Sequence, residues 1–212
     1  MSVMTGTPAP GGAEAEVRLV LASASPRRLD LLRQIGLVPG QVFPANIDET
    51  PRHDELPRPY AERLAAEKAA HVAGQIEGPA LVLAADTVVA LGRRILPKTE
   101  DEQTARACLE RLSGRRHTVF TAIALRPTAA WAEGRAGSRI VASTVTFSRL
   151  TPVQIDALIA AGDWQGKAGG YAIQGHAAAF VRFMSGSYTG IVGLPLFETA
   201  QLLRGQKGSW LS

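Results

Sequence analysis

The stretch Val17-Arg-Leu-Val-Leu-Ala-Ser-Ala-Ser-Pro-Arg-Arg28 decides the fold. An apolar run over 17–22 ends in small hydroxyl residues, and an amphipathic pattern follows over 26–36 (Leu29, Leu31, Leu32, Ile35), stopped by Gly36. The run reads as a strand and the pattern as a helix. Ser25 suits the N-cap and Pro26 the first helical position. Arg27 and Arg28 then fall in the first turn, where the helix dipole disfavours cations. Two cations beside unpaired backbone N–H groups fit a phosphate cradle. A capped surface helix with solvated arginines is the competing reading.

The rest of the chain repeats this alternation. A short strand is expected at 42–46, a proline-rich loop at 47–59, and a helix from Tyr60 to about Gly74. A buried strand follows at 80–85. A hairpin is expected over 88–96 around Gly92, then a helix over 100–112. Long strands are expected at 118–125 and 140–147, and a helix capped by Thr151-Pro152 runs to Ala161. A glycine-rich turn region covers 162–175, a short strand 178–183, and a last helix opens at Gly193-Leu-Pro195 and runs to about Arg204. Alternating strands and helices with some longer β pairs indicate an α/β fold on a mixed sheet with flanking helices.

The chain has 212 residues, enough for one large domain or two small lobes. We expect a single domain at 17–205, a disordered N-terminal tail at 1–16, and a C-terminal tail at 206–212. The tail at 1–16 lacks the charged and apolar regions of a signal peptide. The longest apolar stretch, 80–91, is broken by Asp86 and too short for a bilayer. Charged residues make up 20% and the net charge is +4, without a basic run. That argues against a nucleic-acid partner and leaves small anions open. The one cysteine, Cys108, excludes an intrachain disulfide and lies on an apolar helical face, as a core residue would. The four histidines show no metal-binding spacing and read as surface or structural residues.

Several polar groups stand out against this background. Asp86 closes the run at 80–85, at the strand end where open α/β sheets bind ligands. It could activate water or hold a metal, or merely accept bonds from its own turn. Lys98 falls at the expected start of the helix over 100–112, again a cation where the dipole disfavours one. Asp48-Glu49 is either a solvated acidic turn or a magnesium ligand. In Lys167-Ala-Gly-Gly-Tyr-Ala-Ile-Gln-Gly175, glycines surround a lysine, a tyrosine and Gln174. A glutamine amide pairs a donor with an acceptor, which complements the O4 and N3–H edge of uracil or thymine. Tyr171 or Thr87 would fix its orientation. A structural glycine turn is the other reading.

Taken together, these segments resemble the Maf family of nucleoside triphosphate pyrophosphatases. The resemblance rests on 22–28, Ile-Asp-Glu-Thr-Pro (47–51), Arg-Leu-Ala-Ala-Glu-Lys-Ala (63–69), and Ala-Asp-Thr-Val-Val (85–89). It continues through Lys98, Arg-Leu-Ser-Gly-Arg-Arg-His-Thr-Val (111–119), 167–175, and Gly-Ser-Tyr-Thr-Gly-Ile-Val-Gly-Leu-Pro (186–195). Lys98 and Lys167 sit in contexts that differ from the family's usual Gly-Lys-Pro or Glu-Lys-Pro and Asp-Lys-Ala-Gly.

The resemblance implies two lobes around a central cleft, as in ITPase-like proteins. It implies cytoplasmic, often dimeric enzymes that split a nucleoside triphosphate into monophosphate and pyrophosphate with a divalent metal, Mg²⁺ or Mn²⁺. The family's proton acceptor falls on Asp86. Positions tied to base specificity fall on Arg28, Thr87 and Gln174, in the form that resembles the branch acting on dTTP and UTP. Ser23, Arg27, Glu49, Lys68 and Lys98 match other polar pocket positions. Glu49 and Asp86 are the candidate metal ligands. The competing function is a non-catalytic regulator of cell division that binds nucleotides or nucleic acid, without a membrane partner in either case.

Overall fold

A computed structural model describes residues 17–208 and Trp210. The expected tail at 1–16 lies outside the described residues.

The opening stretch forms β1 (Arg18–Ala22) and α1 (Pro26–Gln34), with β2 (Gln41–Val42) beside them. Ser25 holds the N-cap position, but its hydroxyl makes no capping bond; Pro26 fills the first helical turn. Next come α2 (Pro57–Ala73), β3 (Ala80–Leu91), β4 (Arg94–Leu96), β5 (Lys98–Thr99) and α3 (Glu102–Leu112). The chain continues through β6 (Arg116–Pro127), β7 (Gly137–Phe147), α4 (Pro152–Ala160) and β8 (Lys167–Ala168). It ends with a 3-10 turn (His176–Phe180), β9 (Val181–Ser185), α5 (Tyr188–Val192) and α6 (Leu196–Arg204).

The main sheet is mixed and seven-stranded, in the order β2-β1-β3-β6-β7-β9, with β4 on β3; β5 and β8 form a separate ribbon. Strand alternation sorts the core. Leu81, Leu83 and Ala85 face Leu31 and Leu32 of α1 and Leu203 of α6. Ala80, Val82 and Ala84 face Ala61, Ala65 and Ala69 of α2, where small side chains allow a close helix–sheet approach. A third cluster gathers α3 and α4 against Val89, Val119, Val145 and Phe147. The apolar core thus has two ends, joined by the long strands β3 and β6, with a cleft where they meet.

Several local expectations change. The strand expected at 42–46 is only Gln41–Val42, and the helix expected from Tyr60 starts at Pro57. The segment over 80–91 is one unbroken strand, because β6 pairs with it from Leu81 to Ala90. Asp86 therefore lies mid-strand rather than at a strand end. Lys98 is not at a helix start: Asp101 caps α3 by accepting from the Thr104 amide, and Lys98 pairs in β5 opposite Ala168 of β8. The strand expected at 178–183 is displaced to Val181–Ser185 by the 3-10 turn before it, and α5 was not foreseen. Past α6, Gln206 hydrogen-bonds both ways with the backbone of Arg135, and Trp210 packs on Trp131.

Candidate active site

The site arises from a gap in the sheet. On one edge of β3, β1 pairs as far as Ala84, and β4 pairs only from Val89. Among the described residues, no strand lies beside 85–88 there. Asp86 and Thr87 occupy the gap, and strand alternation sends their side chains to opposite faces. Asp86 continues the Ala80–Val82–Ala84 row and meets Lys68 of α2. Thr87 continues the opposite row and meets Arg28 of α1.

A cleft of about 380 Å³ opens on this gap. It is lined by Ser23, Arg27, Arg28, Glu49, Lys68, Asp86, Thr87, Lys98 and Gln174, among others. Asp48 does not reach it, whereas these nine candidates named from the sequence share this one cavity. Its volume lies within the range of small-molecule sites.

On the α2 face the charges form a row. The Lys68 ammonium donates to Asp86 Oδ1 at 2.6 Å and lies 2.7 Å from Glu49 Oε1. The second oxygen of Glu49 accepts from Lys98. Asp86 and Lys68 are buried, with 2% and 6% exposure. Such burial is tolerable only because the charges are paired. The Glu49 carboxyl is held below its ordinary range: burial opposes ionisation, and the Lys68 and Lys98 ammonium groups outweigh it.

On the α1 face, Arg28 donates from Nε to the Gly193 carbonyl at 2.9 Å and from Nη1 to Ser23 Oγ at 2.9 Å. A longer contact of 3.5 Å joins Nη2 to Thr87 Oγ1, and the Thr87 and Thr121 hydroxyls lie 3.2 Å apart. Arg27 reaches the Val192 carbonyl at 3.4 Å. Burial lowers the pKa of both guanidinium groups, which stay cationic at neutral pH.

Gln174 is exposed, and its amide has no protein hydrogen-bond partner among the described residues. Tyr171 does not fix it. The Tyr171 hydroxyl is turned into the core, 2.7 Å from His117 Nε2. Gly169 and Gly170 bring this segment against β3 and α3. Both have positive φ, and a Cβ at Gly169 would sit 2.8 Å from Val89 Cγ1. Asp48 plays the turn role, accepting from the Thr50 amide at 2.9 Å.

No group of three or more His, Cys, Asp or Glu side chains among the described residues is arranged as a metal site. Two carboxylates on one ammonium still suit a hard cation that takes one or two protein carboxylates and completes its shell with water and phosphate. Arg63 and Tyr60, which hold the Glu49 loop, received no site role from the sequence, although Arg63 opens the segment 63–69. The signal was the acid–base pattern Arg63/Glu67 at helical spacing beside Lys68.

The fold is thus a mixed sheet with a polar cleft at a strand gap, carrying paired lysines and carboxylates. The model of the Maf-like protein family matches residues 18–206, and the chain belongs to this family. It is 66% identical to the dTTP/UTP pyrophosphatase of Gluconobacter oxydans (strain 621H) over 200 residues, 92% of each chain. It is 64% identical to the dTTP/UTP pyrophosphatase of Paramagnetospirillum magneticum over 187 residues, 88% of this chain and 96% of that one. A HAM1 protein from Coxiella burnetii shares the fold at a TM-score of 0.50 and 16% identity, covering 90% of this chain and all of that one. No described helix is long and apolar enough to cross a membrane.

Proposed function

We propose that this chain hydrolyses dTTP and UTP to the nucleoside monophosphate and pyrophosphate in the cytoplasm. The observation that carries the reading is the row Asp86–Lys68–Glu49–Lys98, set on the open edge of β3 in a cleft that also holds Gln174. The names of relatives at 62–66% identity support it. They favour it over a non-catalytic regulator.

The two sheet faces divide the work. On the α2 face, Lys68 and Lys98 exchange carboxylate partners for phosphate oxygens and offset the charge that develops at the transferred phosphorus. Arg27 and Arg28 extend the positive wall at the start of α1. Asp86 accepts the proton of the water that attacks the α-phosphorus, and the electron pair of the broken α–β bond leaves with pyrophosphate. Glu49 and Asp86 would hold a divalent cation, Mg²⁺ or Mn²⁺, which when bound supplies Lewis-acid polarisation of phosphoryl oxygens. On the other face, Gln174 pairs with the O4 and N3–H edge of the base, beside Arg28 and Thr87.

A panel of UTP, dTTP, CTP, GTP and ATP, assayed with Mg²⁺ for released pyrophosphate, tests this reading. UTP and dTTP should show the highest kcat/KM. Equal use of purine and pyrimidine triphosphates would contradict it.

A further inference from the structure

Glu49 lies on a segment, residues 43–56, without helix or strand. Its position must therefore come from side chains, and α2 supplies them. Arg63 grips Glu55 with two parallel bonds, Nε to Oε1 at 2.7 Å and Nη2 to Oε2 at 2.7 Å. The same guanidinium donates to the Thr50 carbonyl at 3.2 Å and to Glu67 Oε2 at 3.0 Å. Only 12% of the Arg63 side chain and 9% of Glu55 are exposed. One turn earlier, the Tyr60 hydroxyl donates to the backbone carbonyl of Glu49 itself at 2.6 Å. Asp54 has a φ of 56°, unlike every other described non-glycine residue, in the turn that swings Glu55 back towards Arg63.

Burying an ion pair contributes little net stability, because desolvation offsets attraction. What a two-pronged guanidinium–carboxylate pair supplies is direction. Tyr60, Arg63 and Glu67 share one stripe of α2, and Lys68 follows directly, so one rigid helix carries both the clamp and the ammonium that Glu49 meets.

We propose that Arg63 and Tyr60 are positioning residues that fix the loop so that the Glu49 carboxylate lies between Lys68 and Lys98. This rests on the reading of Glu49 as part of the reacting site. Neither residue lines the cleft that holds Gln174. Their effect on turnover passes through Glu49.

The test is a double-mutant cycle of Arg63→Met and Glu49→Gln, read as kcat/KM for dTTP, together with amide hydrogen exchange on each full-length variant. Arg63→Met alone should lower kcat/KM by about 10–100-fold, the range seen when a supporting partner is lost. In the Glu49→Gln background it should cost little more, since nothing is left to position. Exchange at 47–56 should rise while β3 and β6 stay protected. Tyr60→Phe, which removes one hydroxyl, should move both readouts the same way by less. It decides the matter if Arg63→Met exchanges everywhere.

Losses that multiply across the cycle would overturn the clamp, as would unchanged exchange at 47–56 in both variants. A wild-type protein inactive on every nucleoside triphosphate would overturn the proposed function instead. The exchange arm would still decide the clamp.

Discussion

The Lys68 ammonium lies 2.6 Å from Asp86 and 2.7 Å from Glu49, a buried cation shared by a strand residue and a loop residue. Removing the shared cation should be costly. Lys68→Met leaves the Asp86 carboxylate buried without a partner, and we expect a loss of about 3–5 kcal/mol in unfolding free energy. Urea denaturation measures it. An unchanged midpoint and slope would show that the pair is not buried as described.

Base selection should reside in Gln174. Cytosine presents a donor and a bare nitrogen where uracil presents an acceptor and an N–H. Once the bound base covers the amide, each mismatch costs about 1–3 kcal/mol, so UTP should exceed CTP by roughly ten-fold to a thousand-fold in kcat/KM. Gln174→Ala should compress that ratio and leave folding intact, since the side chain is exposed. An unaltered ranking would remove Gln174 from recognition.

His117 gives the fold an acid sensitivity. Burial pushes its pKa down to about 4 from an ordinary 6.5. Between those values the unfolded chain takes up a proton that the folded chain does not. Stability is therefore complete above pH 6.5 and falls as pH drops towards 4. Thermal denaturation across that window should show the decline, and His117→Gln should flatten it. A wild-type curve flat over the window would contradict the burial.

Gly169 should not tolerate a side chain. Its φ is +72°, and a Cβ would meet Val89 at 2.8 Å. We expect Gly169→Ala to destabilise by about 1–3 kcal/mol and to raise KM, because this turn holds the Gln174 segment against β3. Wild-type stability and KM together would sink that expectation.

The sequence carries the mixed α/β layout plainly, because the apolar run of β3 and the helical spacing in α2 and α3 are local signals. It also marks the candidate residues: Arg28, Asp86, Lys98 and Gln174 stand out by type and setting, and all line one cleft. What it hides is non-local. Nothing in residues 80–91 reveals that pairing with β1 stops at Ala84 and pairing with β4 begins only at Val89, the gap in which Asp86 lies. Lys98 reads as a helix start because proline and acidic residues surround it. Its real partner, Ala168, lies far along the chain. The Arg63–Glu55 grip joins a helix to an irregular loop, and no periodicity reports such a contact.

The most direct measurement follows UTP turnover with Mg²⁺ by phosphorus NMR in wild type and Asp86→Asn. The account requires UMP and pyrophosphate in equal amounts without orthophosphate. The substitution should lower kcat by about 10²–10⁴-fold, the contribution of a positioned base, with nucleotide binding nearly unchanged. Release of UDP and orthophosphate, or wild-type turnover by Asp86→Asn, would contradict it.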